Sequence, residues 1–162
     1  MENKVLNLNV DDGLLRININ DNGLLCFNPS DFSLYNRFLS LVQELPKIEE
    51  RYIRKCGEGE PEDAENDAER AKKELGCAAE IDKEVKTRLD AVFGNGADFD
   101  KLLGGVNCMA YGANGELVIS NLLNALKPYL ESGVKQHAEK AAERAKLDRE
   151  RRRAAHGMPE TK

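Results

Sequence analysis

The chain lacks tryptophan and has only two histidines, and aromatic residues make up only 6% of its 162 residues. It also has no apolar run near the roughly 18 residues that a membrane-spanning helix requires, so we expect no membrane segment. The histidines, His137 and His156, both lie near the C-terminus, where a Ser-His-Asp or Cys-His catalytic set is hard to build. The sequence therefore predicts a protein without enzymatic activity.

Cysteines are few and widely spaced, at Cys26, Cys56, Cys77 and Cys108. No two of them have the CxxC spacing that is typical of a zinc site, and no cluster of histidines could complete one. We therefore predict no metal and no cofactor. Free thiols in a reducing compartment, the cytoplasm, are the simplest interpretation of this pattern.

Charged residues, by contrast, are abundant: they make up 33% of the chain, with a net charge of -5. An acidic balance argues against a general nucleic-acid binder. The arginine-rich end, residues 149–153, could contact nucleic acid or an acidic membrane surface, but its intervening acids favour a solvated helix end. The acidic residues 58–69 and the basic residues 135–153 are complementary in sign, so they could pair within one chain or between subunits.

The N-terminal region alternates apolar and polar residues over residues 4–10 and 15–20, and a short apolar run follows at residues 24–27. Glycine-containing turns at residues 11–13 and 21–23 separate these runs. The pattern predicts a three-stranded antiparallel β-meander. Because so small a sheet is not stable alone, it must pack on helices.

Ser30 or Asp31 can cap a first helix, whose apolar residues from Phe32 to Leu45 recur at three- and four-residue spacing. Pro46 should end or kink this helix near Glu44, and residues 47–53 can resume it. Glycines at residues 57 and 59 then break the chain. Residues 61–93 predict a long second helix, of which the polar first half projects, frays or pairs with another chain and the apolar second half packs.

A glycine-rich stretch follows, and it predicts a structural turn made by Gly94, Gly96, Asp98, Gly104 and Gly105. Asp98 can cap a short helical turn. Phosphate binding is disfavoured because no strand precedes the glycines and acidic side chains sit where the anion would lie. Calcium binding is disfavoured because leucines occupy positions that would need oxygen ligands.

From residue 116 an apolar final helix is expected, kinked at Pro128 and able to bend at Gly133. It becomes an exposed, charged helix from Lys135, and residues 154–162 are expected to form a disordered tail. The predicted class is α+β, mostly α, with the meander packed on helices and long extended helices in the middle and at the C-terminus. One domain is expected, with segments at residues 1–56, 57–93, 94–134 and 135–162.

Two stretches carry a resemblance to a known family. Residues 27–32 read Phe-Asn-Pro-Ser-Asp-Phe and lead into the helix at residues 35–41, and residues 92–104 contain Phe-Gly-Asn-Gly and Asp-Lys-Leu-Leu-Gly before a helix with Leu-Lys-Pro at residues 126–128. Together they resemble small proteins encoded in the tail modules of long-tailed bacteriophages and prophages of Gram-positive hosts. The resemblance covers roughly half of the chain.

This resemblance implies a role in tail assembly, as a chaperone that keeps a helical tape-measure protein, or another tail protein, soluble in the host cytoplasm. Recognition would place a client helix in an apolar groove, and homo-oligomers are expected. The residues expected to line that groove are Phe32, Tyr35, Phe38, Leu39, Val42, Leu122, Leu126 and Leu130.

Two other functions stay open at this point. The chain could be a structural component of the tail or virion that oligomerises through its long helices. A weaker alternative is a nucleic-acid or DNA-packaging accessory that uses residues 149–153.

Overall fold

The computed structural model describes residues 3–57 and 67–157. Two strands, β1 (Leu15–Asn18) and β2 (Leu24–Phe27), precede the long helices α1 (Phe32–Gly57) and α2 (Asp67–Phe93). A short helix, α3 (Phe99–Leu102), leads to the final helix α4 (Val118–Ala155). The predicted class is confirmed: the protein is mostly helical, with a small N-terminal antiparallel sheet.

The sheet is a two-stranded hairpin in which Leu15 pairs with Phe27. The predicted first strand is wrong, because residues 4–10 form no strand and the sheet contains only β1 and β2. The side chain of Asn28 donates a hydrogen bond to the carbonyl of Asp12 at 2.8 Å, just beyond the last strand pair. This contact ties the residues that precede β1 to the residue that follows β2.

Helix α1 begins where the sequence predicts, since the carboxylate of Asp31 accepts a hydrogen bond from the Ser33 amide at 2.9 Å. The helix does not end near Glu44 and instead runs through Pro46 to Gly57. Proline removes one backbone hydrogen bond, to the carbonyl four residues earlier. Both Pro46 and Val42 are exposed, so water can replace that bond.

A disulfide joins Cys56, near the end of α1, to Cys77 in α2, with their Cα atoms 6.3 Å apart. The prediction of free thiols is therefore wrong for these two residues, whereas Cys26 and Cys108 are free. The pairing was not visible in the sequence because 21 residues separate the two cysteines. Only the antiparallel packing of α2 on α1 brings them together.

The hydrophobic core lies where α1, α2, α3 and the hairpin meet. The ring of Phe93 is at its centre, with centroid distances of 5.3 Å to Phe27 and 5.4 Å to Phe99. Only the second half of α2 contributes buried apolar residues, from Ile81 onward, as predicted. The predicted helix start at residue 61 and most of the acidic segment lie outside the described residues.

Helix α4 completes the core with its first four turns, which carry the buried residues Ile119, Leu122, Leu126 and Leu130. Gly133 is also buried, because the carbonyl of Pro29 occupies the space that a Cβ atom would need. From residue 138 to the end of α4 every residue is exposed. The disordered tail was expected from residue 154, but α4 continues to Ala155. Residues 158–162 lie outside the described part. No helix within residues 3–57 and 67–157 combines the length and apolarity needed to cross a bilayer.

Candidate helix-binding surface

The eight residues predicted to bind a partner fall into two groups. Phe38, Leu122, Leu126 and Leu130 are at most 8% exposed and belong to the core. A partner could reach them only if the core opened. The other four, all on α1, are partly or largely exposed: Phe32, Tyr35, Leu39 and Val42.

These four residues, which we call the α1 strip, follow one another at three- and four-residue spacing and so share one side of the helix. Phe32, Leu39 and Val42 are 43%, 37% and 38% exposed, and Tyr35 is half-buried. The strip is uncharged and about three turns long. Such a surface suits contact with the apolar face of another helix.

Both ends of the α1 strip are bounded by other elements. At its start, the ring of Phe32 lies 4.1 Å from the ring of His137 on α4, measured between centroids. At its end, Val42 lines a cleft of about 250 Å³ together with Pro46, Met109 and Leu117. The strip therefore continues into a mostly apolar cleft, whose lining also includes Glu49.

The opposite side of α1 is held on α2 by ion pairs. Arg51 contacts Glu84 at 2.5 Å, Lys55 contacts Glu80 at 3.0 Å, and Arg88 pairs with Glu44. Burial alone would raise the pKa of Glu84, but its hydrogen bonds to Tyr52 and Arg51 lower that pKa overall. These pairs, with the disulfide, fix the helix that presents the strip.

The glycine-rich turn is fastened to α2 by a buried lysine that sequence reasoning missed. Lys86 is only 4% exposed, and its ammonium group donates to Asp82 at 2.9 Å, to Asp100 at 2.7 Å and to the Val106 carbonyl at 2.8 Å. Burial by itself lowers the pKa of Lys86, but the hydrogen bonds to Asp100 and Asp82 outweigh it, so the pKa is raised. In the sequence, its position beside the apolar stripe of α2 is the one available signal.

Two other acidic side chains at the turn accept hydrogen bonds from backbone amides. The Asp98 side chain accepts from the Lys101 amide as the N-cap of α3, and Asp90 on α2 accepts from the Phe99 amide at 2.8 Å. Gly94 and Gly104 have positive φ angles of 61° and 64°, which glycine adopts without strain. The carboxylates here thus hold α3 against α2.

Cys108 lies next to this cluster and is fully buried. Its amide donates to Asp82 at 2.7 Å. Burial, followed by the hydrogen bond with Asp82, raises the pKa of its thiol to about 12. A thiol that stays protonated at neutral pH is a poor nucleophile, so this cysteine contributes to packing.

Within the part of the chain that the structure describes, no group of three or more His, Cys, Asp or Glu side chains is placed to hold a metal ion. Comparisons with protein-family models, curated proteins and solved structures each find no match to this chain. The most distinctive site on the described surface is the α1 strip.

Proposed function

We propose that this protein is a non-catalytic chaperone of phage tail assembly, which binds a helical tail protein of the tape-measure type. Two lines support the proposal. One is the resemblance carried by residues 27–41 and 92–130. The other, which carries the physical argument, is the partly exposed apolar strip on α1.

The α1 strip matches the recognition of an amphipathic helix. A client helix lying along it would cover Phe32, Leu39 and Val42 with its own apolar residues, which repeat at the same spacing. Its end would enter the cleft beside Val42 and Pro46. Because the buried side of α1 is already packed on α2, binding needs no opening of the core.

The exposed half of α4 supports the same role. From residue 138 this helix carries acidic and basic side chains on all sides and is fully hydrated. A strongly charged projection keeps a complex soluble while apolar client surface is covered elsewhere. The helix therefore suits a protein that must hold an aggregation-prone partner.

Co-expression with a tape-measure protein from the same tail module tests the proposal. Leu39→Asp places a charge in the strip, and we expect the soluble client to fall to the level seen without the chaperone. Ser40→Asp is the matched control, since Ser40 is exposed one position away. Phe38→Asp is unsuitable because Phe38 belongs to the core.

Circular dichroism of both variants must show the wild-type helix content. If Leu39→Asp folds normally and still keeps the client soluble, the strip does not bind the client and the proposal is wrong. The same conclusion follows if the wild-type protein leaves the solubility of the client unchanged.

A second candidate, an oligomeric structural component of the tail or virion, is favoured by a different observation. Residues 5–10 present four strongly exposed apolar side chains outside any sheet. Surfaces of this kind commonly contact other chains. Purified virions that contain the protein in stoichiometric amounts would favour this candidate over the chaperone.

A further inference from the structure

The N-terminal segment, residues 3–10, which we call the arm, has the pattern of a strand without a partner. Leu6, Leu8 and Val10 alternate with Asn7 and Asn9, so residues 6–10 would have one apolar and one polar face if they formed a strand. These three apolar side chains are 81%, 87% and 72% exposed, and Val5, on the other face, is 81% exposed. Burial of these side chains would stabilise the arm, but no other described part of the same chain covers them.

An acceptor for such a strand exists on β1. The amide of Ile19 donates to the carbonyl of Gly23, and strand pairing continues at Ile17 with Leu25. In an antiparallel pair of strands, hydrogen-bonded and non-hydrogen-bonded residue pairs alternate. The backbone N–H and C=O groups of Arg16 and Asn18 therefore point away from β2, to the other edge of β1. In the described part of the chain no strand pairs with that edge.

The surface beside this edge is mostly apolar. A groove of about 460 Å³ runs between β1 and α4, and its lining includes Ile17, Leu122, Ala125 and Tyr129, together with three asparagines. A strand added to β1 would extend the sheet over this groove. Its apolar side chains would then cover α4, and its polar side chains would face solvent.

The arm of the same chain does not occupy this edge. In the described structure residues 3–10 form no strand, and their apolar side chains stay exposed. The connection from the arm to β1 is fixed by hydrogen bonds: Asn28 donates to the Asp12 carbonyl at 2.8 Å, and the carboxylates of Asp11 and Asp12 accept from the two amides that follow. The arm of a second copy is not tied to these contacts.

We infer that the protein self-associates by strand exchange, in which the arm of one copy adds to the free edge of β1 in another and covers the groove on α4. Main-chain hydrogen bonds to Arg16 and Asn18 supply the pairing. Leu6, Leu8 and Val10 supply the apolar contact. Reciprocal exchange gives a closed, symmetric assembly. The inference does not depend on the proposed chaperone function.

Light scattering coupled to size exclusion tests the inference on the full chain. We expect the mass of two or more copies of the 18.1 kDa chain. Leu8→Asp, on the apolar side of the arm, and Ala125→Arg, at an exposed position in the groove, should each weaken association by at least about a hundredfold. Asn9→Asp and Asn124→Arg are the matched controls and should leave the mass unchanged.

Mixing distinguishes strand exchange from any other contact. A variant without residues 1–10 keeps the groove, and Ala125→Arg keeps the arm, so each should be monomeric alone and the two should form a one-to-one complex. The inference would be overturned if the wild-type protein were still monomeric at a concentration of roughly 50 to 100 µM. An oligomer that survives both Leu8→Asp and Ala125→Arg would overturn it equally.

Discussion

Replacing Lys86 with methionine removes the charge that joins α2 to the glycine-rich turn and keeps most of the side chain's packing volume. Three acceptors lose their donor: the carboxylates of Asp82 and Asp100 and the carbonyl of Val106. Asp100 has 67% of its side chain exposed, so water can replace its bond at little cost. Asp82 is only 17% exposed and keeps only its contacts with Cys108, through the amide and the thiol of that residue.

Each hydrogen bond to a charged group is worth about 1.5–3 kcal/mol, and breaking a buried ion pair costs about 3–5 kcal/mol. Because the exposed contact with Asp100 contributes little, we expect Lys86→Met to lower the free energy of unfolding by about 3 kcal/mol, the low end of this range. The melting temperature should fall by about 6–12 °C. Urea denaturation followed by circular dichroism at 222 nm measures the effect.

Lys83→Met is the matched control, because Lys83 is exposed on the same helix, and it should change stability by less than about 0.5 kcal/mol. In a double-mutant cycle, Lys86→Met combined with Asp82→Asn should cost clearly less than the sum of the two single changes. Additive losses, or a loss below about 1 kcal/mol for Lys86→Met, would refute the assigned role of this lysine.

The dependence on pH gives an independent check. The pKa of Lys86 is raised above its ordinary value of 10.5 in the folded protein. The stability that it contributes is therefore fully present below that ordinary value and is lost as the pH rises through the folded pKa. The difference between wild type and Lys86→Met should be constant from pH 7 to 9 and should shrink above pH 10.5.

Two further predictions follow from close packing. Gly133→Ala should destabilise the protein by about 1–3 kcal/mol, because the new methyl group meets the Pro29 carbonyl. Gly76→Ala, in open space on α2, should instead stabilise the protein by up to about 1 kcal/mol. Equal melting temperatures for the two variants would contradict this prediction. In the native protein Ellman's reagent should label half-buried Cys26 and not buried Cys108, and denaturation without reductant should expose two thiols. Four reactive thiols before reduction would contradict the disulfide.

Several features of the fold were predictable because their causes are local. Asp31 caps α1 through a hydrogen bond to a residue two positions away, and Asp98 caps α3 through one three positions away. The apolar spacing in the second half of α2 likewise identified its packed side. Such contacts are encoded within one or two turns of a helix, so the sequence displays them directly.

The errors have a common origin in distant contacts. The alternating pattern of residues 4–10 indicated a strand, but a strand also needs an adjacent strand to pair with, and these residues pair with none in the described structure. Pro46 indicated an end or a kink near Glu44, and α1 does not end there, because both Pro46 and Val42 are exposed and water can replace the lost hydrogen bond. Lys86 has one partner, Asp82, on its own helix, but the other two lie 14 and 20 residues further along the chain, so the sequence did not show that this charge is buried.

The sequence by itself determined which residues are apolar, where apolar residues recur at helical spacing and where the chain must turn. Tertiary structure alone decided that Phe38 is covered while Leu39, the next residue, stays accessible. It also decided that the cysteines of α1 and α2 meet. Helical periodicity specifies the side of a helix on which a residue lies, whereas burial depends on which other element packs against that side.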